Sequence, residues 1–217
     1  MITVLTGLLD EAEILADTPG VTVLCGASAR DNLLALTPPG TEALVSFGVC
    51  GGLSPRLQVG DLAFGTAVTN GSSVHRADRD WFYTMAGRLT FPHHGAPAYS
   101  TGQIGADTPA ERHQIYLETK AWTIDDESLA VATVATALGI PFAIIRSVSD
   151  DYLEMMPAAI RNATNPDGSC NLEAILAALE ADPIELLELP RVAWNFERAL
   201  GTLRGAWRIL QPNFLMT

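Results

Sequence analysis

Short apolar runs rich in β-branched residues recur along the first two-thirds of the chain and predict buried strands. These runs are 2–6, 21–24, 43–47, 62–68 and 142–148. Segments with helical character stand between several of them, and an alanine-containing helix is predicted over 123–138. Apolar strands that alternate with helices are typical of an α/β fold with a largely buried sheet.

The pattern changes to helices beyond residue 151. Helices are predicted over 172–181, 184–189 and 191–210, separated by Pro183 and Pro190. The last of them carries one apolar stripe, formed by Phe196, Leu200, Leu203, Trp207 and Leu210. We interpret the stripe as core packing, with a partner-facing or lipid-facing surface as the alternative. The length of 217 residues fits a single domain, 1–217, with a helical C-terminal part from about residue 152.

The segment 47–61, FGVCGGLSPRLQVGD, joins two predicted strands and holds three glycines within five residues. Gly48, Gly51 and Gly52 directly follow the apolar run 43–47. Glycine allows the backbone to approach a ligand closely. The segment therefore predicts a strand that ends in a glycine turn able to hold a small molecule. A tight turn between two core strands is the alternative.

Residues 70–113 contain many glycines and prolines and are predicted to be loop-rich. A long irregular segment inside a compact domain is usually functional. Its aromatic residues either line an apolar substrate entrance or cover the core. They are Trp81, Phe82, Tyr83, Phe91 and Tyr99.

Composition and charge exclude several classes of protein. The net charge of −12 argues against a nucleic-acid partner and against adsorption to anionic membranes. The three cysteines are far apart and predict neither disulfides nor zinc, which fits a reducing compartment. The N-terminal region lacks a signal-peptide pattern, so a cytoplasmic location is expected.

Three carboxylates stand where predicted strands or helices begin or end. Glu11 follows the first strand, Glu127 begins the helix predicted over 123–138, and Asp150 follows the strand 142–148. Since the carboxyl ends of strands form the ligand crevice in open α/β sheets, Glu11 and Asp150 are expected to meet the glycine segment. The alternative for the helix-start acids is stabilisation by the helix macrodipole alone.

Four motifs, in this order and spacing, resemble the nucleoside phosphorylase and nucleosidase superfamily, whose members include methylthioadenosine/S-adenosylhomocysteine nucleosidase. They are TGLLDEAE, SFGVCGGLSPRLQVGD, IDDESLAVA and IPFAIIRSVSDD. The C-terminal third, with DPIELLELPRVAWNFERAL, is similar to the hopanoid-associated phosphorylase-like nucleosidases. That subgroup is thought to remove adenine from adenosylhopane.

The resemblance implies a three-layer α/β/α fold around a central mixed, partly barrel-like sheet, and an enzyme that cleaves an N-glycosidic bond. Asp150 matches the aspartate that holds, and helps to protonate, the purine N7. Glu127 matches the glutamate at the ribose 2′-hydroxyl. Glu11 is nearest to the acid that activates water, and Glu13 competes for that role because Ala12 occupies the usual position.

The sequence departs from the family pattern at two positions. Asp126 replaces a methionine that lies against the sugar, and Val49 replaces a serine near the ribose. The remaining substrate-binding candidates surround these positions and the carboxylates. They are Gly48, Cys50, Gly51, Gly52, Asp125, Ser149, Gly26 and Arg30.

The nucleophile stays open between water and phosphate. A phosphate co-substrate requires cations and backbone donors, for which Arg30, Arg56, Arg76 and the segment 26–28 are candidates. The acidic chain favours hydrolysis. No metal or redox cofactor is required, and the histidines His75, His93 and His94 lack a metal-site spacing.

The expected substrate is a 5′-substituted adenosine. The alternatives are a purine nucleoside phosphorylase, a methylthioadenosine/S-adenosylhomocysteine nucleosidase and a non-catalytic nucleoside-binding protein. A lipid 5′ group would require an apolar groove, walled by residues 81–99 and the C-terminal helices, and peripheral membrane association. The resemblance also implies a homo-oligomer, either a dimer or a hexamer.

Overall fold

The computed structural model describes residues 1–101, 106–161 and 163–211, in which eight strands form one mixed sheet. The strands are β1 (Ile2–Thr6), β2 (Val21–Cys25), β3 (Ala43–Gly52), β4 (Leu62–Thr69), β5 (Val74–Arg76), β6 (His93–Ser100), β7 (Thr123–Asp125) and β8 (Phe142–Asp150). The helices are α1 (Leu9–Ile14), α2 (Gly26–Asp31), α3 (Leu33–Leu36), α4 (Arg79–Ala86), α5 (Pro109–Thr119), α6 (Ser128–Leu138), α7 (Ala158–Arg161), α8 (Leu172–Ala181) and α9 (Leu189–Leu210), with a 3₁₀ helix at Pro183–Leu187.

Five of the strands close into a barrel. Strand β3 pairs with β7, β7 with β6, β6 with β4, β4 with β8, and β8 returns to β3. Strands β1 and β2 extend the sheet in parallel from β3. This arrangement confirms the predicted mixed, partly barrel-like sheet.

Helices cover both faces of the sheet and give the predicted three layers. On one face α1, α4 and α9 bury a core that includes Phe47, Trp81 and Trp207. On the other face α3 and α6 pack through Leu33, Val131 and neighbouring alanines. Both faces are apolar because the sheet is covered on each side.

The apolar stripe of α9 packs on the sheet, which confirms its interpretation as core. Leu200, Leu203, Trp207 and Leu210 are buried, and the Trp207 ring meets Phe47 edge-on at a centroid distance of 5.7 Å. The aromatic residues Trp81, Phe82 and Phe91 of the predicted entrance loop also pack against this core. Their interpretation as a substrate entrance is therefore wrong.

The predicted boundaries of one strand and of one helix are wrong. Gly48, Gly51 and Gly52 belong to β3, because β8 pairs with that strand through Gly51 and β7 pairs with its last two residues. The helix predicted over 123–138 begins only at Ser128, because residues 123–125 form strand β7.

The segment 70–113 is far more regular than its glycines and prolines predict. It holds β5, α4, β6 and the start of α5. Local signals for both helices are present in the sequence: Asp78 caps α4 through the Trp81 N–H, and Thr108 forms a capping box with Glu111 at α5.

Smaller differences occur in the other helical segments. The helix predicted over 184–189 is the 3₁₀ helix at Pro183–Leu187. Within residues 1–101, 106–161 and 163–211, no helix is long and apolar enough to cross a membrane. The assignment of the whole chain to one domain stays a prediction.

Candidate functional site

Glu11 is a buried carboxylate at the first turn of α1. One of its oxygens accepts the N–H groups of Gly7 and Leu8 at 2.9 and 3.0 Å, which caps the helix. The other accepts the Val49 N–H of β3 at 2.7 Å. Glu13, the competing candidate, is exposed on the same helix. The structure therefore brings Glu11, not Glu13, to the glycine segment.

Two glycines make room for the carboxylates. Gly48 has a φ of +155°, and a Cβ built there would overlap the Glu11 carboxylate. A Cβ at Gly7 would lie 2.8 Å from Oε1 of Glu127. Because side chains do not tolerate such approaches, glycine at these positions is what allows both acids to reach the end of the sheet.

Arg146 of β8 holds Glu127 from inside the sheet. Its Nη2 lies 3.0 Å from Glu127 Oε2, 3.3 Å from Asp125 Oδ1 and 2.5 Å from the Ser46 hydroxyl. Its Nη1 donates to the Val49 carbonyl at 3.2 Å. A buried arginine requires such partners to offset its desolvation.

Burial and crowding change the protonation of this carboxylate cluster. Burial raises the pKa of Glu11 to about 7, with Arg146 opposing the rise and Glu127 adding to it. Burial also raises the pKa of Glu127. The pKa of Asp126 rises to about 7, chiefly through burial and then through repulsion from Glu127 and Asp125. Burial lowers the pKa of Arg146, but the surrounding carboxylates outweigh this and raise it.

Asp150, the last residue of β8, belongs with Ser149 and Arg112 to a second polar group, which lies farther along β3 than Glu11. Its Oδ1 lies 2.8 Å from the Ser149 hydroxyl, and its Oδ2 lies 2.5 Å from Nη2 of the buried Arg112. A Cβ at Gly51 would lie 2.9 Å from Ile124 Cγ2 and 3.0 Å from Asp150 Oδ2, so glycine at this position lets the carboxylate pack closely against β3.

The two polar groups lie along one strand. Glu11 contacts β3 at Gly48 and Asp150 contacts it at Gly51, three residues apart, which is about 10 Å of extended chain. A small molecule that lies along β3 can therefore contact both carboxylate positions at once.

Some predicted binding residues do not face this strand edge. The side chain of Asp125 is 1 % exposed and is engaged by the N–H groups of Glu127 and Ser128 and by the Ser128 hydroxyl. Cys50 is buried against Leu57 and Val148. Both side chains are enclosed within the protein, and the assignment of these residues as substrate contacts stays a prediction.

Gly26 is covered by the turn 165–168. A Cβ at Gly26 would lie 2.5 Å from the Pro166 carbonyl oxygen, and that oxygen accepts the Ser28 N–H at 2.9 Å. The predicted backbone donors of segment 26–28 are thus partly occupied. Arg30 pairs with Asp31 at 2.9 Å, and its charge partly opposes the rise in the pKa values of Asp126 and Glu127.

Sequence reasoning missed Arg146 and Arg112. Arg146 had a signal, because a charge inside the apolar run of 142–148 requires a buried partner. Arg112 had none, since it stands in a polar helix and its burial follows from tertiary packing. The histidines have separate partners: His93 lies near the Phe91 carbonyl, His94 near Asp61 and His75 near Thr136.

Solved structures share this fold along nearly the whole chain. Futalosine hydrolase of Helicobacter pylori matches at 14 % identity and a TM-score of 0.69, covering 99 % of this chain and 97 % of that one. The 5′-methylthioadenosine/S-adenosylhomocysteine nucleosidase of H. pylori, with butyl-thio-DADMe-Immucillin-A, matches at 15 % and 0.61, covering 95 % and 97 %. The nucleosidase of the same name from S. pneumoniae, with the transition-state inhibitor MT-ImmA, matches at 12 % and 0.65, covering 96 % and 99 %.

Sequence comparison provides the family. No curated protein matches the sequence. The profile of the Phosphorylase superfamily matches residues 2–179, which hold both polar groups of the strand edge. The protein therefore belongs to the phosphorylase superfamily, as the order and spacing of its four motifs predicted.

Proposed function

We propose that the protein hydrolyses the N-glycosidic bond of a 5′-substituted adenosine and releases adenine. The observation that carries the proposal is the arrangement along β3, where Glu11 and Glu127 stand at one end and Asp150 at the other. Cleavage of an N-glycosidic bond needs the same two functions: help for the leaving base, and stabilisation of an oxocarbenium-like sugar that a nucleophile attacks.

Asp150 serves the base in this proposal. A purine leaves readily only when its N7 is protonated or strongly hydrogen-bonded, and the carboxyl of Asp150 beside Gly51 can make that bond. The Ser149 hydroxyl at 2.8 Å fixes the orientation of the carboxyl group. We propose that the backbone at Gly51 and Gly52 forms part of the surface against which the nucleoside lies.

Glu127 and Glu11 serve the sugar. Glu127, whose Oε2 lies 3.0 Å from Arg146 Nη2, accepts a hydrogen bond from the ribose 2′-hydroxyl. Its carboxylate also places negative charge near the developing cation. Glu11 takes a proton from the attacking water. Its pKa of about 7 suits that role, because a base works best when its pKa is near the working pH.

Water is favoured over phosphate by the surroundings of the carboxylates. In the turn 165–168, the Pro166 carbonyl accepts the Ser28 N–H and the Gly168 carbonyl accepts the Leu9 N–H, next to Glu11. Arg146, the cation that contacts Glu127, is already paired with two carboxylates. A dianion at this edge would therefore meet negative charge and few free donors, while a neutral water molecule would not.

An apolar 5′ substituent is supported by the surface that follows Asp150. Leu153 and Met155 are each 63 % exposed, and the apolar α8 has no buried residue. Together with the C-terminal resemblance, this surface supports adenosylhopane as the substrate. Residues 81–99 do not supply a wall, since several of their aromatic side chains lie in the core. Cytoplasmic location, peripheral membrane association and a homo-oligomer stay predictions.

The decisive experiment is a substrate screen with and without phosphate. Adenosine, 5′-methylthioadenosine, S-adenosylhomocysteine and 5′-alkyl adenosines of increasing chain length are incubated with the protein, and adenine and the sugar product are quantified by chromatography. We expect adenine and the free sugar, no dependence on phosphate, and kcat/KM that rises with chain length. A sugar 1-phosphate would indicate a phosphorylase. Tight binding without release of base would indicate a nucleoside-binding protein.

A further inference from the structure

Arg112 of α5 is one of the largest side chains that the protein buries completely, at 2 % exposure. Burial of a guanidinium is costly unless its N–H groups find hydrogen-bond or ion-pair partners. Its Nε donates to the Ala106 carbonyl at 3.0 Å. Its remaining nitrogens all turn toward the end of β8.

The contacts at that end enclose one residue. Arg112 Nη1 donates to the Asp151 carbonyl at 2.6 Å and lies 3.4 Å from the Asp150 carbonyl, while Nη2 meets Asp150 Oδ2 at 2.5 Å. The guanidinium thus holds both the backbone and the side chain of Asp150. Because the guanidinium is planar and rigid, this grip fixes the direction of the carboxyl group.

The ion pair with Arg112 holds one oxygen of the carboxyl group inside the protein. Asp150 Oδ2 is buried, has no hydrogen bond of regular geometry from the described residues besides this ion pair, and lies close to Gly51. On the proposed function, the carboxyl group that is held in this way acts on the departing base. A cation behind it offsets the negative charge that builds on the carboxyl and the base together.

From this geometry we infer that Arg112 is a positioning residue for base release, acting through Asp150. The inference rests on the proposed function and deepens it. Arg112 orients the Asp150 carboxyl toward N7 and balances its charge, and it contacts neither sugar nor base. A purely structural role, tying residue 106 to residue 151, is the alternative that the test has to separate.

A double-mutant cycle separates the two roles. Adenine release is measured at saturating and at low substrate for the wild type, Arg112→Met, Asp150→Asn and the double variant, at a temperature where circular dichroism shows each to be folded. We expect Arg112→Met to lower kcat by about 10²-fold with little change in KM. In the Asp150→Asn background the same change should have almost no further effect on kcat, because the Asp150 carboxyl group through which Arg112 acts is absent.

Two further variants complete the test. Arg112→Lys retains the charge and should recover part of the lost kcat, and it replaces Arg112→Met in the cycle if that variant does not fold. Arg161→Met removes an exposed arginine that pairs with Asp107 nearby, and should stay within about twofold of the wild type.

The outcomes that count against the inference are distinct from failure of the proposed function. Wild-type turnover in Arg112→Met, or an equal loss of kcat in both backgrounds, would assign Arg112 a structural role only. If the wild-type protein itself releases no adenine from any nucleoside, the proposed function fails, and the role of Arg112 in it fails as well.

Discussion

The carboxylate of Glu11 lies directly against the Cα of Gly48, in space that any side chain at residue 48 would occupy. We predict that Gly48→Ala displaces Glu11 and lowers kcat for adenine release by about 10²-fold or more, the range expected when a general base is lost. Steady-state kinetics with the best nucleoside from the screen would measure the loss.

Gly71→Ala is the matched control for this substitution. Gly71 also has a positive φ, of +88°, but no atom lies within 4 Å of a Cβ built there. The Gly71→Ala substitution should lower stability by about 1 kcal/mol through backbone strain and leave kcat unchanged. Equal activity in the two variants would show that Gly48 is not needed to accommodate Glu11.

Asp150→Asn is expected to reduce adenine release by about 10³-fold or more while the fold stays intact, because the amide cannot supply acid help to N7. The neighbouring Asp151→Asn serves as control, since its carboxylate accepts only the nearby Leu153 N–H among its described hydrogen bonds. Thermal unfolding and single-turnover assays of both variants would test this. Near wild-type turnover in Asp150→Asn would refute the assignment of Asp150 to the base.

The rate should depend on pH through Glu11. Its pKa is raised to about 7, and only the ionised form can accept a proton from water, so kcat/KM should fall about tenfold for each pH unit below that value. Glu11→Gln should remove most of the activity and this acid limb with it. The exposed Glu13→Gln should reproduce the wild-type profile, and a loss of the limb in Glu13→Gln would reverse the choice between the two acids.

Stability should fall as the pH rises through the pKa of Asp126. Its pKa is about 7 in the folded protein against 3.8 as the ordinary value, so the folded state holds the proton more tightly. The stability from this proton is complete below about pH 4 and is lost as pH rises through about 7. Asp126→Asn should therefore be more stable than the wild type at pH 8, by on the order of 2 kcal/mol after allowance for partial exposure, and nearly equal at pH 4.

Urea unfolding at pH 4 to 8 measures this difference. Asp80→Asn, on the exposed start of α4, is the control and should follow the wild-type curve. A constant difference between wild type and Asp126→Asn across this range would show that Asp126 is not held in a crowded, buried environment.

The glycine segment shows why some of the site was predictable from the sequence. Glycines after an apolar run, and acids at the ends of predicted strands, are local patterns that need no knowledge of distant residues. They identified Gly48, Gly51, Glu11, Glu127 and Asp150, all of which the structure gathers along one strand. The order of the four motifs likewise indicated the superfamily.

Boundaries and burial depended on pairing between distant parts of the chain. The glycine segment became part of β3 because β8 and β7, which lie about 70 to 100 residues further along the chain, pair with it. No local pattern distinguishes a glycine turn from a strand whose glycines accommodate carboxylates.

The sequence by itself determined the α/β class, the superfamily and the acids of the candidate site, because these follow from periodicity and motif order. Only the tertiary structure decided between Glu11 and Glu13, enclosed Asp125 and Cys50, and brought Arg112 and Arg146 to the carboxylates. The physical reason is that burial and ion pairing are properties of the neighbours a residue acquires on folding. Those neighbours come from strands and helices far away in the chain.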